Sequence, residues 1–161
     1  MGYTHSFAYA PQSETFRATW LRLRLDAAAV IDFAKAAGIQ LAGPDGRGLP
    51  VVSEGMIAFN GQGEGACEFF RIELTPSRLS KSGPFVWNFT KTAAKPYDMA
   101  VTAVLLRAHT LMPDHFAINS NGEWSDWMEA RAINEALFTD TPPPTGEPFT
   151  DTSTGPAAIR R

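Results

Sequence analysis

Hydrophobic and polar positions alternate at the start of the chain, where aromatic residues stand at every second place between small or polar ones. Side chains two residues apart share one face of a β-strand, so this period predicts a strand with a largely aromatic face. His5 belongs to the same period as Tyr3 and Phe7, and we expect it on that face.

A different period follows, with apolar residues every three or four positions from Phe16 to Ala34. This spacing predicts one long amphipathic helix, with Ser13 as its N-cap and Gly38 just beyond its end. Residues 20–25, WLRLRL, also fit a short strand, because leucine and arginine alternate there. The helix is the preferred interpretation, since the wider period runs through these residues unbroken.

Glycine and proline residues at 43–50 predict a loop, and three strand-like segments follow it. The segments are VVSEGMIAFNG at 51–61, CEFFRIEL at 67–74 and FVWNFTK at 85–91. Their connections contain glycine or proline, which favours an antiparallel meander of three strands.

Two more helices and one strand are predicted after the meander. Residues 97–112 are mostly apolar, which indicates a buried helix, and residues 115–122 fit a strand and a turn. A final amphipathic helix over 125–138 would take Ser125 as its N-cap, with Asp126 and Glu129 near its positive end.

Together these elements predict one α+β domain over residues 1–138, with a mostly antiparallel sheet and helices packed on one of its faces. Residues 139–161 form a tail rich in proline and threonine. Such a composition favours a flexible or extended segment, unless the tail docks on its own domain or on a neighbouring subunit. Docking on a neighbour would make the protein a homo-oligomer.

Composition excludes several classes of function. The formal charge of −3 gives no general attraction for nucleic acid, so any affinity for anions must be local. Cys67 is the single cysteine, which excludes an intrachain disulfide and a zinc site with several cysteines. We expect no metal, no cofactor and no membrane span, and a cytoplasmic location. A loose match of Gly2 and Ser6 to the myristoylation pattern ranks below a Gly2 that opens the first strand.

Residues 89–98, FTKTAAKPYD, concentrate hydrogen-bonding groups at the predicted start of the second helix. Lys91, Thr92 and Lys95 would place two ammonium groups and a hydroxyl beside free backbone N–H groups, an environment that suits phosphate or carboxylate. In the alternative interpretation Tyr97 packs, Asp98 interacts with the helix start, and the lysines are solvated. The sequence leaves both open.

Further candidates come from the strands. His5 is either a hydrogen-bonded histidine of a half-buried sheet or a general acid or base. Glu68 would turn inward by alternation, and its predicted partner is Lys91 or His5. Asn60 is either a ligand-binding side chain or a turn residue before Gly61.

Two tryptophans, Trp124 and Trp127, stand beside the NSNG sequence at 119–122. Rings placed in this way would suit stacking on a base or a sugar. The preferred interpretation is that they anchor the last helix on the sheet.

Several motifs together resemble a widespread family of small, functionally uncharacterised bacterial and phage proteins. They are GYTH at 2–5, FNG at 59–61, CEFF at 67–70, FTKTAAKPYD at 89–98 and NSNG at 119–122. Members of the family read GYTHYW, FNG, HETF, FCKTARKPYD and SSDG, and the KT-x-x-KPYD element is the most specific part. The chain departs from this pattern at Cys67, Thr90, Ala94 and Asn121, so the resemblance implies no role for these four.

The resemblance and the residues lead to three hypotheses for function. The first is a small-molecule-binding protein with a polar pocket for an anionic, nucleotide-like ligand, formed by Tyr3, His5, Asn60, Glu68, Lys91, Thr92, Lys95, Tyr97 and Asp98. The second is an enzyme acting on a phosphorylated or nucleotide substrate, with His5 or Glu68 as its acid or base. The third is a phage or bacterial structural or interaction protein, assembled through its tail.

Overall fold

The structure of the chain, a computed structural model, describes residues 3–160. Within that part, three helices and two antiparallel sheets build an α+β fold. The predicted fold class is confirmed, although the strands form two sheets instead of one. Gly2 lies outside the described residues, together with the roles predicted for it.

Within residues 3–160 the fold consists of seven strands and three helices, and none of these helices is both long enough and apolar enough to cross a bilayer. In chain order they are β1 (Thr4–Tyr9), α1 (Glu14–Ala36), β2 (Leu41–Ala42), β3 (Val51–Val52), β4 (Met56–Gly61), β5 (Phe70–Glu73), β6 (Val86–Lys91), α2 (Asp98–Leu111), β7 (Phe116–Ser120) and α3 (Met128–Leu137).

The first sheet has the order β6–β1–β7, with both outer strands antiparallel to β1. Its inner face carries His5, Phe7 and Tyr9, and all three are buried, as the period of the first strand predicted. The register places Thr90 and Ser120 opposite His5 on the two neighbouring strands. One end of an otherwise aromatic face therefore collects polar side chains.

The second sheet is built around β4, which pairs with β2, β3 and β5. The single strand predicted over 51–61 is wrong, because this segment is a hairpin of β3 and β4. Ser53 N donates to Met56 O at 2.9 Å and closes the turn between the two strands.

The predicted three-strand meander is also wrong, because β6 pairs with β1 and not with β5. The segment before β5 still contacts the end of β6, because the Glu68 N–H donates to Lys91 O at 3.0 Å. Farther along, the Tyr9 hydroxyl accepts the N–H of Glu73 at 3.0 Å. At this point the backbone of β5 bonds the Tyr9 side chain and not the backbone of β6. A gap therefore separates β5 from β6, and with them the two sheets.

The first helix confirms the periodicity argument. Ser13 Oγ accepts the N–H of Phe16 at 3.1 Å at the N-terminus of α1, and Gly38 beyond its end has a φ of +90°. The alternative of a strand over residues 20–25 is wrong, because these residues lie inside α1.

The prediction of Ser125 as the N-cap of the last helix is wrong. A 3₁₀ turn over Trp124–Trp127 precedes α3, and Glu123 and Asp126 cap it reciprocally. The Glu123 N–H donates to Asp126 Oδ2 at 2.8 Å. Two carboxylates therefore accept the free N–H groups at this helix start.

α2 is buried along most of its length and carries one charge into the core. Arg107 is 1% exposed, and its Nε donates to Asp26 Oδ2 on α1 at 2.7 Å. Its Nη1 donates to Thr141 O at 3.1 Å, and the guanidinium lies 4.3 Å from the centre of the Phe138 ring. A buried charge requires such partners, so this group joins α1, α2 and the chain beyond α3.

The tail docks on its own chain, one of the alternatives that the sequence left open. Thr150 N donates to Ile118 O at 3.0 Å, and Thr152 is 3% exposed. The Thr152 hydroxyl lies 2.7 Å from Ser6 Oγ and accepts the indole N–H of Trp87 at 3.0 Å. The tail thus lies along the outer face of the first sheet. The predicted domain boundary after residue 138 stays a prediction, as does a homo-oligomer built through the tail.

Trp127 anchors the start of the last helix on the first sheet, as the preferred interpretation held, because its indole N–H donates to Ser120 Oγ at 3.3 Å. Trp124 packs against the tail instead. Trp127 is 1% exposed, and Phe149 of the tail packs edge-on against it with ring centres 5.0 Å apart. Trp124 contacts Phe149 at 5.8 Å. Ring stacking on a ligand is not needed to explain this pair.

The buried ion pair generates a stability prediction. Asp26→Ala should lower the free energy of unfolding by about 3 kcal/mol, because the buried Arg107 guanidinium loses its nearer carboxylate and keeps only Asp140 Oδ1, 3.4 Å from Nη2. Urea denaturation measures the loss. Asp32→Ala, at an exposed position of the same helix, is the matched control and should change stability by no more than about 0.5 kcal/mol. Equal effects of the two variants would show that the pair does not hold α1 and α2 together.

Candidate functional site

His5 is the centre of a hydrogen-bonded cluster at one end of the first sheet. The side chain is fully buried, and both ring nitrogens have a partner. Nδ1 lies 2.8 Å from Ser120 Oγ on β7, and Nε2 lies 2.6 Å from Asp98 Oδ1 at the start of α2. The sequence reaches this arrangement because alternation on β1 turns His5 inward, where β7 and α2 converge.

The partners of Ser120 assign the tautomer of His5. Ser120 Oγ accepts the N–H of Gly122 at 2.9 Å and the indole N–H of Trp127 at 3.3 Å. We assign the hydroxyl hydrogen of Ser120 to His5 Nδ1, which places the imidazole hydrogen on Nε2, facing the carboxylate. Ser120 therefore orients the histidine ring.

Asp98 is held in place from two sides. Its Oδ1 accepts from His5 Nε2 and also from Thr92 Oγ1, each at 2.6 Å. Thr92 is buried, and its N–H donates to Tyr3 O at 2.9 Å. The carboxylate keeps one oxygen turned into the protein, while its side chain stays 19% exposed. We call His5, Thr92, Asp98, Ser120 and Trp127 the His5 network.

The loop before α2 has an unusual backbone. Ala93 and Ala94 have φ values of 54° and 55°, in the left-handed region that costs a residue with a Cβ about 1–2 kcal/mol. This geometry lets Thr92 Oγ1 accept the N–H of Ala94 at 3.3 Å. Strain is therefore stored beside Asp98, where it positions the start of α2.

Tyr3 covers the other side of His5. The two rings meet edge to face with centres 4.9 Å apart, and a Cβ on Gly122 would collide with the Tyr3 hydroxyl. Burial, and next the negative charge of Asp98, raise the pKa of Tyr3. The NSNG turn thus requires glycine because the phenol lies against it.

An open cleft of about 250 Å³ lies beside the His5 network, and we call it the α2 cleft. Its lining consists of Ile39, Ala94, Lys95, Pro96, Asp98, Met99, Thr102, Asp126, Glu129 and Ala130. Three of these side chains are carboxylates and one is an ammonium. Lys95 Nζ already donates to Glu64 O at 2.6 Å and to Ala66 O at 2.9 Å. The cleft therefore offers mainly hydrogen-bond acceptors.

The structure brings together five of the residues predicted for the site. Tyr3, His5, Thr92 and Asp98 meet in or against the His5 network, and Lys95 lines the adjoining cleft. They come from β1 and the residue before it, from the turn that joins β6 to α2, and from the first residue of α2.

Two of the predicted residues lie elsewhere, on the outer side of the β6 edge. Lys91 is exposed and alternates with the buried Thr90 and Thr92, so its side chain points to the opposite face of the sheet. The prediction that Glu68 turns inward is wrong, because Glu68 is exposed and its Oε1 accepts the Lys91 N–H at 2.8 Å. The expected pairing of Glu68 with Lys91 exists, but through the backbone.

The last two predicted residues serve the fold. Asn60 Nδ2 donates to Pro44 O at 3.0 Å and Cys67 O at 2.9 Å, and its Oδ1 accepts from Gly61 N and Cys67 N. Its amide therefore clips two loops together, a role beyond that of a turn residue. Tyr97 is buried and donates its hydroxyl to the backbone oxygen of Glu68 at 2.5 Å, and burial raises its pKa.

Sequence reasoning missed Ser120, Gly122, Asp126 and Glu129 as parts of the site. The first two stand inside the NSNG motif, and the pairing of β1 with β7 was the missing information. Asp126 and Glu129 were assigned to the helix dipole alone. Their spacing of three residues also places them on one face of the helix, which is the face that lines the α2 cleft.

The described residues contain no candidate metal site. Within residues 3–160, no group of three or more histidine, cysteine, aspartate or glutamate side chains could hold a metal ion. The three cleft carboxylates are therefore considered as hydrogen-bond acceptors.

Comparison with known proteins adds no relative: no protein-family model, no curated protein and no solved structure matches this chain. The resemblance to the bacterial and phage family accordingly stays a hypothesis. Function has to be argued from the site itself.

The hydrogen bonds of the His5 network predict a large loss of stability when His5 is replaced. His5→Phe keeps a ring but removes both side-chain hydrogen bonds, and should lower the free energy of unfolding by about 2–4 kcal/mol. Urea denaturation measures this loss, and ¹⁵N NMR of the imidazole tests for hydrogen on Nε2. The control is His115→Phe, at a partly exposed position. A similar loss in the control, or hydrogen on Nδ1, would contradict the assigned network.

The tyrosines predict how stability depends on pH. The pKa values of Tyr3, Tyr9 and Tyr97, all the tyrosines of the chain, are raised, in each case mainly by burial. A group whose pKa is higher in the folded state stabilises it below the unfolded pKa, here about 10. Stability should therefore fall as the pH rises above about 10. Ultraviolet titration should show phenolate forming at higher pH in the native chain than in urea; coincident curves would contradict the burial of these hydroxyls.

Proposed function

We propose that this protein binds a small polar molecule in the α2 cleft, with the Asp98 carboxylate as the main recognition group. The observation that carries the proposal is the double hydrogen bond on Asp98 Oδ1, from His5 and Thr92, at the wall of an open cleft. Among residues 3–160, no hydrogen-bond donor reaches the other oxygen, Oδ2.

A carboxylate held in this way suits ligand binding. Its rotamer is fixed before the ligand arrives, so binding does not have to order it. Placing a charged group in a fixed position beside strained backbone is also a feature of functional sites. The volume of about 250 Å³ lies just below the usual range of about 300–1,000 Å³ for ligand sites, which indicates a compact ligand.

The charges of the cleft indicate the chemical class of that ligand. Asp98, Asp126 and Glu129 outnumber the single ammonium of Lys95, two of whose donors are already bonded to carbonyl oxygens. A ligand rich in N–H donors, such as an amine or the amino edge of a nucleobase, satisfies this lining best. The anionic ligand expected from the sequence required Lys91 in the same hollow, and Lys91 lies on the other face of the sheet.

The enzyme hypothesis receives less support from the geometry. It required His5, Glu68 and Lys91 to converge, whereas Glu68 and Lys91 lie on the outer side of the β6 edge. His5 is enclosed, and both of its nitrogens are engaged inside the protein. A general acid or base has to reach its substrate, and this histidine has no open path to one.

Ligand-induced stabilisation tests the proposal. Differential scanning fluorimetry should show that adenosine or a small amine such as agmatine raises the melting temperature, and that inorganic phosphate does not. Asp98→Asn should abolish the shift, as should Glu129→Gln, which changes a lining carboxylate at an exposed position. Asp32→Asn on α1 is the matched control and should retain it.

Three results would contradict the proposal. One is the absence of any shift with the donor-rich compounds, and another is a shift that Asp98→Asn and Glu129→Gln both retain. The third is stabilisation by phosphate that disappears in Lys91→Ala and Lys95→Ala, because that result would restore the anion site predicted from the sequence. Circular dichroism of each variant separates loss of binding from loss of fold.

A further inference from the structure

A second surface lies on the opposite side of the first sheet from His5. Five side chains point outward there, and we call them the β5–β6 platform. They are Phe69 just before β5, Arg71 on β5, and Trp87, Phe89 and Lys91 on β6. The three aromatic side chains are 42%, 44% and 47% exposed for Phe69, Trp87 and Phe89. Large rings are rarely left in such a group unless they contact a partner.

We propose that the β5–β6 platform binds single-stranded nucleic acid. Exposed aromatic rings on a sheet stack on unpaired bases with little preference for sequence, because every base has a flat face. The rings of Trp87 and Phe89 have centres 5.5 Å apart and planes tilted by 49°. That spacing leaves no room for a base between them, so each ring would stack a base on its exposed face, which suits bases drawn out of a regular stack.

Positive side chains stand beside these rings. Lys91 continues the outward row of β6, and within residues 3–160 its ammonium has no hydrogen-bond or ion-pair partner. The Arg71 guanidinium lies 5.2 Å from the centre of the Phe69 ring. Arg78 lines the neighbouring cavity. Phosphate groups of a strand stacked on the rings would meet these three cations.

Two carboxylates belong to the same surface and are already engaged. Glu73 binds Arg71 at 2.7 Å, and Glu68 accepts the Lys91 N–H. Around the platform, the three cations Arg71, Arg78 and Lys91 face these two carboxylates, a local excess of one positive charge on a chain whose overall charge is −3. This distribution is the local attraction for anions that the overall composition left open.

The gap between the two sheets provides a path along the rings. Because β5 and β6 splay apart, cavities of about 320 and 190 Å³ follow one another between them. Arg71 and Asn88 line both cavities. A flexible polymer can follow such a groove while its bases turn onto Phe89 and Trp87.

Addition of a peptide strand to β6 fits less well. The outward N–H of Phe89 donates to Asn88 Oδ1 at 2.8 Å, and that of Lys91 donates to Glu68 Oε1 at 2.8 Å. Side chains thus occupy the backbone groups that an added strand would need, a known protection of sheet edges. Stacking on side-chain rings needs none of these groups.

Fluorescence anisotropy with labelled oligothymidylate and oligouridylate of about 12 nucleotides tests the proposal. Binding should be detected at low salt and should weaken as salt is added. Phe89→Ala should weaken it at least fivefold, whereas Phe89→Tyr, which keeps a ring, should retain it. Lys91→Gln should weaken it and reduce the salt dependence by about one ion. Phe33→Ala and Lys35→Gln, at exposed positions of α1, should leave it unchanged.

The competing outcomes are distinct. No binding at low salt, equal affinity for a duplex of the same length, or binding unaffected by Phe89→Ala would each overturn the proposal. Analytical ultracentrifugation without nucleic acid adds one more outcome. A dimer that Phe89→Ala dissociates would assign the platform to a second copy of this chain instead. Because Phe89 is half exposed, its variants should keep the native circular dichroism spectrum, and none of them touches the α2 cleft.

Discussion

Two hydrogen bonds to a single oxygen, Asp98 Oδ1, determine how this protein is organised around its site. One comes from His5 on β1 and the other from Thr92 in the turn that leads into α2. Ser120 extends the chain of bonds to β7. The first sheet and its covering helix are thereby fixed to each other through polar groups, in a region where ordinary apolar packing would allow small shifts.

Alternation along β1 and β6 gives this sheet two unrelated faces. The inner face ends in the His5 network and the α2 cleft. The outer face carries the tail over β1 and β7. The tail bonds the Trp87 indole N–H at its margin and leaves the rings of Trp87 and Phe89 about half exposed. Lys91 and Thr92 are neighbours in sequence and yet serve different faces, because successive residues of a strand point in opposite directions. Within residues 91–98, Lys91 therefore belongs to the outer face, whereas Thr92 and Asp98 belong to the His5 network on the inner face.

Periodicity in the sequence was sufficient to predict β1, α1, α2 and the α+β class. It could not show that β6 pairs with β1, since the pairing joins segments about 80 residues apart, and no local pattern contains that information. The Ser125 cap was predicted from residue type alone, and a pair of carboxylates displaced it. The motifs predicted part of the site. They could not predict Ser120, because its place opposite His5 depends on the register of β7 against β1, which no local pattern contains.

The position of β1 has a consequence for how the chain folds. It is the central strand of the first sheet, yet the partners of His5 on the two neighbouring strands, Thr90 and Ser120, lie 85 and 115 residues farther along the chain. Neither pairing forms through a local hairpin, so two long loops have to close before β1 is paired on both sides. Contacts of such high sequence separation slow folding relative to a protein of the same size whose strands pair locally.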